Sequence, residues 1–198
     1  VKQRRADRSR PLPSELPMTP SPSDQAPSAT RVWDLFVRIF HWSLVTCVVL
    51  NQFVLEDGKT AHEWVGYTAS ALVLARLVWG FVGSRHARFS DFFPTPGRLL
   101  RHVQALRQGQ HLHYEGHNPL GALMMLALMA LVLALGATGW LQTTDALFGE
   151  EWLMELHEAL AHGLLWAAGL HAAAAIVMGR LERVRLVRAM VTGVKQRF

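Results

Sequence analysis

Four apolar stretches, at about residues 39–55, 62–82, 119–141 and 155–178, constrain this chain more than anything else in it. Each approaches the length needed to cross about 30 Å of hydrocarbon as a helix. A backbone in lipid must satisfy its own hydrogen bonds, so a chain with four such blocks forms a helical bundle. Composition agrees: 51% of the residues are hydrophobic and 18% charged, a rich balance for a water-soluble domain. The fold class expected is an all-α membrane protein with a four-transmembrane-helix bundle. The net charge of +5 does not point to nucleic acid, because the basic residues flank the apolar stretches instead of lining one face.

The chain divides into two parts. Residues 1–30 are rich in Pro, Ser, Arg and Lys and read as a disordered basic tail. Residues 31–198 hold the four spans. A long basic connection, 83–118, carries Arg85, Arg88, Arg98, Arg101 and Arg107, and within it a short amphipathic helix is expected along the membrane surface. The loop before the fourth span is acidic, with Asp145, Glu150, Glu151 and Glu155. The C-terminal segment is basic again. Positive-inside bias then places both termini and the 83–118 connection in the cytoplasm, with the loops at 56–60 and 142–154 outside. Lys59 is the only basic residue in those two loops.

The fourth span carries His157, His162 and His171. At about 100° per residue, His157 and His171 share a face to within roughly 40° and stand about 21 Å apart along the axis, while His162 points elsewhere. His41 opens the first span and His62 the second. With the topology above, His41 and His171 fall at one depth, near the cytoplasmic face. His62 and His157 fall at the other, near the outer face. Ionisable groups in a bilayer need a partner or a task. Two imidazoles from facing helices at one depth are a known way to hold haem iron on both axial sides. Two haems, one per pair, are therefore expected. There is no Cys-x-x-Cys-His, and Cys47 is the one cysteine, so each haem would be non-covalent, of b type. Gly66, one turn after His62, offers close backbone approach. Zinc normally wants three or four convergent ligands, more than either pair provides.

Taken together, several segments resemble the bacterial cytochrome b561 and nickel–iron hydrogenase b-type cytochrome superfamily, closest to its hydrogenase cytochrome b branch. They are Arg31-Val-Trp-Asp-Leu, Phe40-His41-Trp42, His62-Glu-Trp-Val-Gly-Tyr67, Trp79-Gly-Phe-Val-Gly-Ser-Arg-His-Ala-Arg-Phe89, Gly116-His-Asn-Pro-Leu-Gly121, Leu186-Val-Arg-Ala-Met-Val-Thr-Gly193 and the His157/His171 spacing. The resemblance covers about residues 31–195. It implies a four-helix di-haem cytochrome of the bacterial inner membrane whose axial ligands are His41, His62, His157 and His171. It also implies partners: a hydrogenase, a periplasmic c-type cytochrome or another dehydrogenase outside, and the quinone pool within the membrane.

Other residues carry two readings each. Arg76, the one basic residue deep in a span, either pairs with a haem propionate or snorkels to the headgroups; Arg38 has the same choice, with snorkelling favoured. His86 and His117 lie at span edges, where interfacial residues are expected and the border of a quinone pocket is the alternative. His102, His111 and His113 are expected to be solvated, and His162 to have a packing role. Trp33, Trp42, Trp64, Trp79, Trp140 and Trp152 sit where an aromatic belt places anchors. The function expected is transmembrane electron transfer linking a periplasmic redox partner with quinone. A stand-alone quinone or superoxide:quinone oxidoreductase is the alternative, and a metal-ion transporter a more distant one.

Overall fold

A computed structural model describes residues 30–84, 87–109 and 118–195. The tail over 1–29 and the residues His86, His111, His113 and His117 lie outside the described residues. Four helices are long and apolar enough to cross a membrane: α1 (Leu35–Phe53), α2 (Thr60–Val82), α5 (Pro119–Leu141) and α6 (Glu151–Leu181). Three short helices, α3 (Phe89–Phe92), α4 (Pro96–Arg107) and α7 (Leu186–Thr192), lie in the connections. Two short strands, β1 (Thr30–Arg31) and β2 (Val194–Lys195), pair antiparallel. The protein is a multi-pass membrane protein.

The helices begin where their caps lie. α1 starts at residue 35, ahead of the start at 39 expected from sequence, because Asp34 caps it and accepts the Val37 N–H at 2.8 Å. Arg38 does not end the apolar run, since its Nη2 donates to the Val191 carbonyl of α7. α5 opens on Asn118, whose side chain accepts the Gly121 N–H at 2.7 Å, with Pro119 in the first turn. α6 takes in Glu151 at its first turn and Arg180 at its last. Both signs match the helix dipole, which explains a helix longer than its apolar stretch.

α1 packs on α2, α2 on α5, and α5 on α6, whereas α1 and α6 do not pack side by side along their lengths. On α2 the buried residues Ala69, Val73, Arg76 and Gly80 recur at helical spacing, and Ala69 and Val73 join Phe40, Cys47, Ala122, Met129, Val132 and Leu164 in one core. The outer faces stay apolar, with Leu74, Val78, Phe81, Trp166 and Leu170 exposed, as lipid contact requires. At one end of the bundle the first and last described segments meet. There β1 pairs with β2, the Val32 N–H donates to the Gly193 carbonyl at 2.9 Å, and the Trp42 indole donates to the Met190 carbonyl at 3.4 Å. Gly193 closes α7 at φ 82°, a left-handed value suited to glycine. This tail end also holds α3 and α4. The opposite, loop end holds the 54–59 and 142–150 connections.

His102 departs from the expectation of a solvated residue. It lies on the inner face of α4 and is 3% exposed, because α4 packs against α5 with His102 and Ala105 turned inward. Arg98, Arg101 and Arg107 face outward.

Candidate functional site: two histidine pairs at two depths

α2 places His62 in its first turn, and α6 places His157 in its second. The two rings approach with centroids 6.4 Å apart and planes at 59°. At the tail end His41 of α1 and His171 of α6 lie within electrostatic range of each other. All four rings are half-buried. The structure thus brings His62 to His157 and His41 to His171, each pair from two different helices, with α6 common to both. His162 is exposed on the outer surface of α6 and joins neither pair. Among the described residues, no three or more His, Cys, Asp or Glu side chains gather as a metal site.

The loop-end pair has the dimensions of an axial ligand set. Two metal–imidazole bonds of about 2 Å each, with about 1 Å more from each nitrogen to its ring centre, sum to about 6 Å, close to the 6.4 Å found. The Nδ1 atoms of His41 and His62 are buried without a hydrogen-bond partner among the described residues. Asp57 Oδ1 lies 3.5 Å from His62 Nδ1. The residues present therefore fit a haem held by two imidazoles.

Several polar side chains that the sequence pattern did not single out support these rings. Thr138 of α5 is buried, and its Oγ1 lies 2.8 Å from His157 Nδ1. The neighbouring Gly139 leaves room for the same ring, since a Cβ there would stand 3.3 Å from His157 Cε1. Asn51 Nδ2 donates to the His62 carbonyl at 3.2 Å, and Gln52 Nε2 donates to the Ala161 carbonyl at 3.1 Å. Gln52 thereby ties α1 to α6 between the two depths. Gly66 lies against the Asn51 amide, where a Cβ would make an ordinary contact at 3.5 Å. The available sign was chemical: amides and hydroxyls inside apolar spans, each needing a partner.

Arg76 is 1% exposed, so it does not snorkel to the headgroups. Its Nη2 donates to the Ala87 carbonyl at 3.0 Å, and its guanidinium stands 5.5 Å over the Phe89 ring. Its Nη1 is buried without a hydrogen-bond partner among the described residues. Trp79, expected as a membrane anchor, instead donates its indole N–H to Asp34 Oδ2 at 3.0 Å and stacks on Phe36. Trp64, Trp140 and Trp152 are exposed near helix ends, as belt residues are.

The model of the prokaryotic cytochrome b561 family matches residues 32–193. The chain belongs to that family. Membership makes it a b-type haem protein of transmembrane electron transfer. It is also similar to proteins named "Probable Ni/Fe-hydrogenase B-type cytochrome subunit". It is 27% identical to the one from Rhodobacter capsulatus, over 84% of this chain and 81% of that one. It is 23% identical to the one from Azotobacter vinelandii, over 63% of this chain and 64% of that one. The corresponding Bradyrhizobium diazoefficiens protein is 25% identical over 52% of this chain and 53% of its own length. No solved structure matches the chain.

Proposed function

We propose that this family member carries electrons between the two faces of a bacterial inner membrane with two b-type haems. His62 and His157 would hold one near the loop end, and His41 and His171 the other near the tail end. The observation that carries this is the 6.4 Å approach of two imidazoles from separate helices; His41 and His171, within electrostatic range of each other, form a second pair that α6 also serves. Haem, when bound, supplies one-electron chemistry whose potential the axial ligands and surroundings tune. The chain's own part would be to hold each haem between two imidazoles, His62 with His157 and His41 with His171. Arg76, with Nη1 free of protein partners among the described residues, would pair with a propionate of the tail-end haem.

In this reading the di-haem domain lies within residues 31–198. Both termini face the cytoplasm. The acidic loop end, with Asp145, Glu150, Glu151 and Glu155, would meet a periplasmic partner. A hydrogenase is the first candidate, given the names of the relatives; a c-type cytochrome and the quinone pool are further links.

Two measurements on the purified protein test this. Reduced-minus-oxidised spectra with haem quantitation should give two b haems per chain, and a protein purified without any would end the reading. His171→Ala should lose one haem and keep the other. Full haem content with unchanged spectra in that variant would remove the tail-end assignment.

A further inference from the structure

Resting on the loop-end pair proposed above, we infer that Thr138 is a positioning residue that fixes the tautomer and ring orientation of His157. A threonine hydroxyl has one proton and two lone pairs. Thr138 Oγ1 lies 2.9 Å from the Ala134 carbonyl and 3.2 Å from the Leu135 carbonyl, both on its own helix. Carbonyl oxygens only accept, so the hydroxyl proton goes to them, as helical threonines commonly arrange. The third contact, 2.8 Å to His157 Nδ1, must then be filled from the other side: Nδ1 carries the hydrogen and donates it to Oγ1. With Nδ1 protonated, Nε2 keeps its lone pair for a metal.

Thr138 and Gly139 act on the ring together. The hydroxyl holds the Nδ1 edge. The missing side chain at 139 admits the Cε1 corner, which a Cβ would press at 3.3 Å. Among the described residues His41 Nδ1 has no hydrogen-bond partner, no side-chain hydrogen bond to the His171 ring is found, and His62 Nδ1 has only the longer 3.5 Å contact with Asp57 Oδ1. Of the four, His157 is the one whose Nδ1 meets a side chain at hydrogen-bond distance. A histidine that donates its distal N–H is a stronger electron donor to the metal, which favours the oxidised state. Removing the acceptor weakens that donation and raises the potential of the loop-end haem alone.

The test uses the full-length, haem-loaded protein and compares Thr138→Val with Thr138→Ser. Thr138→Val keeps the shape and loses the hydroxyl. It should shift one of the two midpoint potentials upward, change the low-spin electron paramagnetic resonance signal of that same haem, and speed its loss about tenfold. Thr138→Ser should restore all three. Unchanged potentials and spectra in Thr138→Val would overturn the inference, as would a Thr138→Ser protein no better than Thr138→Val. If Thr138→Val loses haem or fails to fold, Thr138→Ser decides alone: native potentials support the inference and displaced ones end it. His157→Ala separates the two levels. Should it keep both haems, the ligand pairing fails; should it lose one while Thr138→Val changes nothing, only the role of Thr138 fails.

Discussion

Asp34 accepts hydrogen bonds from three elements: the Val37 N–H of α1 at 2.8 Å, the Trp79 indole of α2 at 3.0 Å, and the Ser84 hydroxyl at 2.5 Å. Burial alone would raise its pKa, but the Ser84, Val37 and Trp79 hydrogen bonds and the Arg76 charge outweigh it, and the carboxyl titrates below its ordinary value. The charge sits where a helix start favours an anion and is a countercharge for the buried Arg76. Asp34→Ala should therefore cost more than the roughly 1 kcal/mol typical of a lost cap, because it also strands an indole N–H and a buried guanidinium. A lowered thermal midpoint in detergent, with Asp34→Asn falling between mutant and wild type, is the expected result. The pH dependence has a fixed sign. The folded pKa lies below the unfolded value of about 3.9, so the stabilisation is complete above that pH and fades as pH falls through the folded pKa. Asp34→Ala should show less of this acid loss than wild type. Equal acid loss in both proteins would assign it elsewhere.

At the scale of elements, α4 docks on the bundle through an unusual inward residue, His102. Burial pushes the His102 imidazole below its ordinary range, with Glu182 partly opposing the shift. An undocked α4 would bind a proton more readily than the docked one, so docking should weaken as pH falls below about 6.5. Amide hydrogen exchange over Pro96–Arg107, corrected for intrinsic rates, should then rise between pH 7.5 and 5.5 relative to α5. His102→Gln should flatten that rise, and an identical slope in the variant would rule His102 out as the cause. α4 also marks how far a sequence can be read. Its place at the surface was legible from its charges, since Arg98, Arg101 and Arg107 all stay exposed. The burial of His102 was not, because it depends on α5 and the end of α6 arriving from 17 and 80 residues away. The same holds at the loop end: apolar length and charge placed His62 and His157 at one depth, but the Thr138–His157 contact crosses between α5 and α6. A threonine inside an apolar span looks like any other small residue until its neighbour is known. Helix starts were misjudged where a charge was satisfied by packing, as Arg38 is by α7.

For the whole molecule, orientation decides which haem would face which partner, and the bundle makes it testable. α1, α2, α5 and α6 alternate in direction, so the paired strands, α3, α4 and α7 all gather at the tail end. That end carries Arg88, Arg98, Arg101, Arg107, Arg183, Arg185 and Arg188, whereas the loop end has Lys59 alone against Glu56, Asp57, Asp145, Glu150 and Glu151. Arginine and lysine near span ends are retained in the cytoplasm, and acidic residues contribute little to the choice. The asymmetry predicts, without reference to the histidines, that the tail end faces inward, which would set His41 and His171 on the inner side. Single cysteines introduced in a Cys47→Ala background give a direct check. A cysteine at Lys59 should react with a membrane-impermeant maleimide in intact spheroplasts. One at Arg107 should react only after the membrane is opened. The reverse pattern would invert the bundle and exchange the partners of the two histidine pairs. It would leave the pairing itself intact, because His62 meets His157 whichever way the bundle sits in the membrane.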